Sequence, residues 1–564
     1  MRDVQEPLVL KDENQGFLIF RLALSEFCAR FQKMSTPLTL RPVFILFSLS
    51  CLLYMSKPWE SSLQAMDSAI HARVALEIAG SGFIPNLPAQ ELNLDSPLPF
   101  FNDQPFPFLW ISGLLMRLLG PDAWSARILS SLFSGVAVCL LYIYMRRFFS
   151  GFAALCAAIL FLVNPLWIRF SARFQLDPPM ISFILGSFFA WSLYLSDLRK
   201  FRFALYAGLL AGFAVCAKSP VGLLIFPAAF LNEGLSWKFK RTRVILSLAL
   251  AALSAFAIIS GMWLFANHLS GINLFKDYLE RQVFGTAVGG RGMGQDSSIL
   301  DGIAILGRFC RLEILCLLIS ALFWFRKATP KQLPRSEHFT LILSGFFVLL
   351  LVISNLKFKF PHYFLPGFPL LAAVTGILLS ESLGNLESKE SRLRTFLSAT
   401  APILALALLT IPIKTVPEQF EALKRFIPYM QTHGSKTDSV LFIDHKQPYG
   451  SEGDYFCELI FYTRFKFLSS KCNQANLKIR KTLPEWILTS GDQESDLCLS
   501  SETLRLYPSR LRFGNQVILS KRASMTSSAE FDLTPGINEL RASQNGEGIP
   551  YRKNMYFTPR VNQE

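Results

Sequence analysis

The sequence predicts a mainly α-helical, polytopic membrane protein: a bundle of about eleven transmembrane helices followed by a soluble α/β domain. Three observations carry this. The 564 residues are 51% hydrophobic and include 52 Phe, more than a water-soluble chain of this length usually carries. Apolar runs that match roughly 30 Å of hydrocarbon recur through most of the chain. The basic residues, which give a formal net charge of +15, flank those runs instead of forming one patch. They therefore read as topology determinants and not as nucleic-acid contacts.

Residues 1–40 form a cytoplasmic N-terminal segment. Within it "FLIFRLALSEFCARFQ" (17–32) is amphipathic and reads either as a helix on the bilayer surface or as an ordinary leader. No small-residue cleavage site accompanies the first apolar run, 41–56, so that span is expected to be its own insertion signal. Further spans are expected at 124–145, 151–168, 178–195, 203–217, 220–232 and 244–266, and at 308–325, 339–356, 364–380 and 393–412. The short, proline-led "PFPFLWISGLLMRLLG" (105–120) decides orientation. Without a crossing there, Arg146, Arg147, Arg199, Lys200, Arg202, "WKFKRTR" (237–243), "RKATPKQLPR" (326–335), Lys389, Arg392 and Arg394 all share one face. The positive-inside rule makes that face cytoplasmic.

The segment 105–120 is thus expected to lie in the outer interface, within a first external loop of 57–123 that is acidic through Glu60, Asp67, Glu77, Glu91, Asp95, Asp103 and Asp122. The transmembrane domain runs from 41 to 412, and 413–564 is expected outside. In that last part "SVLFID" (439–444) and "EWILTS" (485–490) read as strands and "YFCELIFYTRF" (455–465) as a helix. "LRFGNQVILSKR" (511–522) reads as a hairpin turned at Gly514 and Asn515. The ten cysteines show neither CxxC pairs nor disulfide-like spacing and read as incidental.

Charges that violate the topology are the informative ones. Arg169, Arg173, Lys218, Arg281, Arg291, Lys357 and Lys359 fall at outer span ends or in outer loops, where few cations are expected. A phosphate or pyrophosphate held at the outer interface explains them through charge-assisted hydrogen bonds; snorkelling toward lipid headgroups is the alternative for any single one. Asp67 opens the amphipathic stretch "MDSAIHARVALEIAGSGFIP" (66–85), with His71 one turn later on the same face. Asp67 is either a helix cap or a general base at a low-dielectric boundary. With His71 it makes at most a two-ligand metal pair, a weak signal. Asp177 in "SARFQLDPPMISF" (171–183) precedes two prolines able to open a helix, where a carboxylate also suits the helix N-terminus.

Taken in order, "MDSAIHARVALEIAGSGFIPNL", "NDQPFPFLWISGLLMRLLG", "SARILSSLFSGVAVCLLYIYMRRFF", "RFQLDPPMISF" and "AKSPVGLLIFPAAF" resemble the polyprenol-dependent GT-C glycosyltransferases. The similarity is to the branch that contains the lipid A 4-amino-4-deoxy-L-arabinose transferases and the dolichyl-phosphate-mannose protein mannosyltransferases. It covers about residues 40–380. The resemblance implies a GT-C helix bundle in the bacterial cytoplasmic membrane, with the active site and the C-terminal domain facing the periplasm. It implies inverting transfer of a sugar from a polyprenyl-phosphate donor to lipid A, lipopolysaccharide or another envelope acceptor, with a protein acceptor as alternative.

By position in those motifs, Asp67 is the expected base and Asp177 a second carboxylate that orients the acceptor, the base or a cation. Arg173, Lys218, Arg291 and Lys359 are expected at the donor phosphate, and His71, His362 and Tyr363 at the substrate. Two departures stand out. The acidic pair often found at the first position is Asp67 and Ser68 here, and the usual Lys-Pro-Pro or His-Pro-Pro is Asp103, Gln104, Pro105. The second puts a phosphate-binding role at that position in doubt. No cofactor is required, and a divalent metal stays open. Gly-rich "GTAVGGRGMGQDSS" (285–298) reads as a lid or a plain connector. The competing class is a transporter or flippase of lipid-linked sugars, which would favour repeated halves and mid-membrane charges; neither is seen.

Overall fold

The computed structural model describes residues 40–56, 66–83, 102–120, 123–235, 242–285, 299–326, 336–356 and 360–383. Toward the C-terminus it describes 430, 434, 438–444, 466–471, 475–490, 498–507, 509–513, 516–521 and 531–532. The expected span 393–412, the helix at 455–465, the leader 17–32 and the turn at Gly514 and Asn515 lie outside the described residues, as do 57–65 and 84–101 of the expected first external loop.

The first helices are α1 (Leu40–Ser56), α2 (Met66–Ser81), α3 (Pro107–Leu119), α4 (Ala123–Phe148), α5 (Gly151–Leu162) and α6 (Pro165–Ser171). They are followed by α7 (Asp177–Ser196), α8 (Phe201–Ala217), a 3₁₀ turn Pro220–Leu224, α9 (Ile225–Leu235) and α10 (Thr242–Ser270). A short α11 (Leu274–Asp277) runs into a π-helical turn, Tyr278–Phe284. Then come α12 (Ile299–Phe309), α13 (Arg311–Arg326), α14 (Glu337–Ser354), a 3₁₀ segment Pro361–Gly367 and α15 (Phe368–Leu383).

Among the described residues, α4, α7, α10, α14 and the stretch Pro361–Ser382 are long and apolar enough to cross a bilayer, with α5 and α6 making a sixth if the bent pair counts as one span. On α10 the residues Leu246, Leu253, Phe256 and Leu264 are exposed, an apolar outward face that suits lipid and not water. Inside the bundle, small residues let helices approach and hydroxyls bridge them: Gly208 of α8 packs on Ala251 and Ser254 of α10, and Ser187 donates to the Ala207 carbonyl at 2.8 Å.

Four expected spans are interrupted, 220–232 among them because it begins as the 3₁₀ turn Pro220–Leu224. The run 151–168 breaks after Leu162 and bends by 64°, because Asn164 caps a new helix, its Oδ1 accepting from the Leu166 and Trp167 N–H groups, and Pro165 cannot continue the old one. The run 308–325 is joined at Cys310 by α12 and α13, and 364–380 begins as a 3₁₀ turn. Helix α3 has 13 residues, short of the ~20 a crossing needs. It buries Phe108, Leu109, Ser112, Gly113 and Met116 and leaves Ile111, Leu114 and Leu118 exposed. Its seat is on α2, where a Cβ on Gly113 would stand 2.6 Å from the Ala75 carbonyl oxygen. Trp110 donates to the Phe83 carbonyl at 2.6 Å, and both rings meet Phe265 of α10 edge-on, an aromatic group of the kind that sits at a membrane interface.

Residues 439–532 contain a six-stranded sheet in the order β2-β1-β3-β5-β4-β6: β1 (Ser439–Asp444), β2 (Lys466–Lys471), β3 (Trp486–Ser490), β4 (Ser509–Phe513), β5 (Gln516–Ser520) and β6 (Phe531–Asp532). β1 runs parallel to β2 and β3, while β5 is antiparallel to β3 and β4. Helices α16 (Ala475–Thr482) and α17 (Ser501–Leu506) contribute Ile479 and Leu504 to a core with Leu441, Ile443, Ile487, Val517 and Leu519. The reading of the cysteines as incidental is corrected here: Cys498 is disulfide-bonded, whereas Cys51, Cys139, Cys156, Cys216, Cys310 and Cys316 are free. Spacing alone does not reveal a bridge whose ends meet only through the fold.

Candidate active site

The site forms where helices stop. Helix α7 begins at Asp177, because Pro178 and Pro179 fit the first helical turn and its unpaired N–H positions. Helix α8 ends at Ala217, and Lys218 leaves the helical region before Pro220 opens the 3₁₀ turn. These two ends meet. The Lys218 Nζ lies 2.6 Å from Asp177 Oδ2, with side-chain exposures of 11% and 2%. A pair this buried is costly to desolvate and holds only through close geometry.

Asp67 stands exposed in the first turn of α2, within electrostatic range of Asp177. His71, one turn on, is buried and meets the Phe174 ring edge-on at 6.0 Å. Burial, and then the nearby Lys218 ammonium, push its imidazole down to about 3. Arg173 is buried in the link between α6 and α7. His362 stacks on Phe360 at 5.4 Å and lies 5.3 Å from Phe170, with Tyr363 edge-on at 4.7 Å; it too lies within reach of the Lys218 charge. The structure therefore gathers Asp67, His71, Asp177, Lys218 and His362 around one position, from four separate elements. Arg291 and Lys359 lie outside the described residues.

Sequence reasoning gave no role to Gln175 or Tyr278 beside these residues, and no partner to Arg281. Gln175 sits in the link before α7, with its backbone clamped to Ser130 and its side chain donating to Ser68 at 3.2 Å. Tyr278 is buried and donates to the Lys218 carbonyl at 3.1 Å, which fixes the backbone carrying the ammonium. Arg281 lies 2.5 Å from Asp103 and 3.4 Å from Asp277, while Asn102 donates to Asp277 at 3.0 Å and to the Leu274 carbonyl at 2.9 Å. Asp103 is the departure from the basic motif, and here it draws a cation from another loop. Arg281 was visible as a cation on the unexpected face, but its partner lies far off in sequence.

Among the described residues no group of three or more His, Cys, Asp or Glu could hold a metal ion.

The family model described as dolichyl-phosphate-mannose-protein mannosyltransferase matches residues 103–264. An uncharacterized protein of Aquifex aeolicus is 25% identical over 276 residues, 49% of this chain and 52% of that relative, so the match spans about half the relative's length. The crystal structure of ArnT from Cupriavidus metallidurans bound to undecaprenyl phosphate superimposes with a TM-score of 0.63 at 13% identity, over 87% of this chain and 99% of that one. The same protein in its apo state gives 0.59 at 13% identity, over 92% and 100%. The matched segment is thus similar to that family, and the fold is similar to that of ArnT, a GT-C glycosyltransferase.

Proposed function

We propose that the protein transfers a sugar from a polyprenyl-phosphate donor to an acceptor of the cell envelope, lipid A or lipopolysaccharide, at the outer face of the cytoplasmic membrane. The observation that carries this is the buried Lys218–Asp177 pair beside Asp67. An ammonium has three N–H donors, and Asp177 takes one, which leaves the others for phosphate oxygens. Asp177 thus acts as the carboxylate that orients a cation. In the reaction an acceptor hydroxyl attacks C1 of the sugar as the C1–O bond to phosphate breaks, which inverts C1. Asp67 takes the hydroxyl proton. The departing polyprenyl phosphate keeps the bond electrons, and Lys218 and Arg173, joined by Arg291 and Lys359, offset its growing charge. His71, His362 and Tyr363 line the substrate side.

The undecaprenyl phosphate bound by the ArnT neighbour supports the donor class. A protein acceptor is the second reading, favoured by the name of the matching family model. We take 41–412 as the transferase domain, with 57–123 as its first external loop and 413–564 as a periplasmic domain. The disulfide at Cys498 supports that last placement, since disulfides persist in oxidising compartments.

The test uses purified protein with radiolabelled undecaprenyl-phosphate pentoses and hexoses, offered lipid A or an envelope fraction. Asp67→Asn and Asp177→Asn are each expected to lower transfer by about 10²- to 10⁴-fold. Full transfer by both variants would remove these residues from the site.

A further inference from the structure

We propose that Gln175 is a positioning residue that holds the Asp67 and Asp177 carboxylates in register, an inference that rests on the transferase reading above. Gln175 is almost wholly buried, as are Ser68 and Ser130. One hydroxyl of α4 clamps both backbone groups of residue 175: Ser130 Oγ donates to the Gln175 carbonyl at 2.7 Å and accepts from its N–H at 3.0 Å. The neighbouring Ser131 donates to the Ser171 carbonyl at 3.0 Å, so adjacent serines fix both ends of the link 171–175. From that fixed backbone the Gln175 side chain reaches Ser68 Oγ at 3.2 Å, across 107 positions of sequence.

Ser68 directly follows Asp67, and Gln175 stands two residues before Asp177. The bridge therefore joins the first turn of α2, where Asp67 is mounted, to the link that leads directly into Asp177 at the start of α7. Turning the amide over exchanges donor and acceptor but keeps the contact, because a serine hydroxyl serves as either. Without the bridge, α7 stays anchored to Lys218, while the start of α2 keeps the looser ring contact of His71 with Phe174.

Such a residue acts on the chemical step and not on substrate affinity. Gln175→Leu and Ser68→Ala are each expected to lower kcat about tenfold to a hundredfold, the effect of misplacing reacting groups by about 1 Å, with KM changed by less than about threefold. The double variant is expected to be no slower than the slower single one, because both remove the same bond. The measurement is steady-state transfer from the radiolabelled undecaprenyl-phosphate donors, with thermal unfolding in detergent alongside. If Gln175→Leu does not fold, Ser68→Ala, which removes one oxygen atom, carries the test. Undiminished kcat in the variants, a loss confined to KM, or multiplying effects in the double variant would each overturn the proposal while leaving the transferase reading intact. No transfer by the wild-type protein from any of these donors would remove the reading, and the proposal with it.

Discussion

Replacing Lys218 with methionine isolates what the Asp177 pair contributes. At 2.6 Å the bare attraction is about 6 kcal/mol at an effective dielectric constant of roughly 20, an upper bound because both ions lose hydration on burial. Removing the lysine leaves a carboxylate with 2% side-chain exposure without its cation, which costs roughly 3–5 kcal/mol. Removing the carboxylate instead, as Asp177→Asn, costs less, because the lysine stem lets the ammonium move toward water. The double variant removes both charges and is expected to regain most of the loss of Lys218→Met, to within about 1–2 kcal/mol of wild type. Denaturant unfolding in mixed micelles, followed by tryptophan fluorescence, reads the series. Sugar transfer is measured in parallel and is expected to stay low in all three variants, since each lacks the cation, the carboxylate that orients it, or both. If Lys218→Met unfolded within about 1 kcal/mol of wild type, or if the double variant were as unstable as Lys218→Met, the pair would not be the buried, mutually dependent unit described.

Three other outcomes are expected. His71 binds its proton only near pH 3 when folded, against an ordinary 6.5; between those values the unfolded chain holds the extra proton. Stability is therefore expected to fall as pH drops below 6.5, with no contribution from this group above it, and His71→Gln should flatten that part of the unfolding-midpoint profile. Arg281→Ala separates the loop holding Asp103 from the turn holding Asp277, groups that are mostly buried. The expected loss is about 2 kcal/mol, read by unfolding and by faster proteolysis within 274–284. Gly208→Ala would put a Cβ well inside contact distance of the Ala251 carbonyl and Ser254 Oγ, forcing α8 from α10. The expected loss is about 1–3 kcal/mol, and a neutral result would show that these helices are not in close contact.

The helices are legible because crossing a bilayer demands a long apolar run, and that demand shows in any window of the chain. Their interruptions are less so: Leu160 through Trp167 reads as one apolar stretch, and only Asn164 with Pro165 betrays the bend. Asp67, Asp177 and Lys218 are legible for a related reason, since a charge at the end of an apolar run is expensive and needs a cause. Gln175, Ser68 and Ser130 raise no such flag. Neutral polar residues are common in these runs, and their bond partners lie 45 and 107 positions apart. Arg281 falls between, flagged by its side of the membrane but matched to Asp103 only by the fold.

The prolines offer a signal that joins these cases. Pro165, Pro178, Pro220 and Pro361 each open a helical segment, because a proline there forgoes only an N–H that the first turn leaves unpaired. In a membrane bundle such a start is tolerated where backbone groups meet water, protein or ligand and not lipid. A polar residue beside such a proline is therefore held at that boundary by the backbone itself. Asn164, Asp177, Lys218 and His362 each lie within two residues of one of these prolines. Asn164 spends its side chain on the cap of α6 and on Glu313, and that use keeps it structural. Asp177 and Lys218 spend their side chains chiefly on each other and His362 stacks on Phe360, and they are the three that meet around Asp67 and His71. What separates site from scaffold at these breaks is thus whether the polar side chain is consumed by its own helix end.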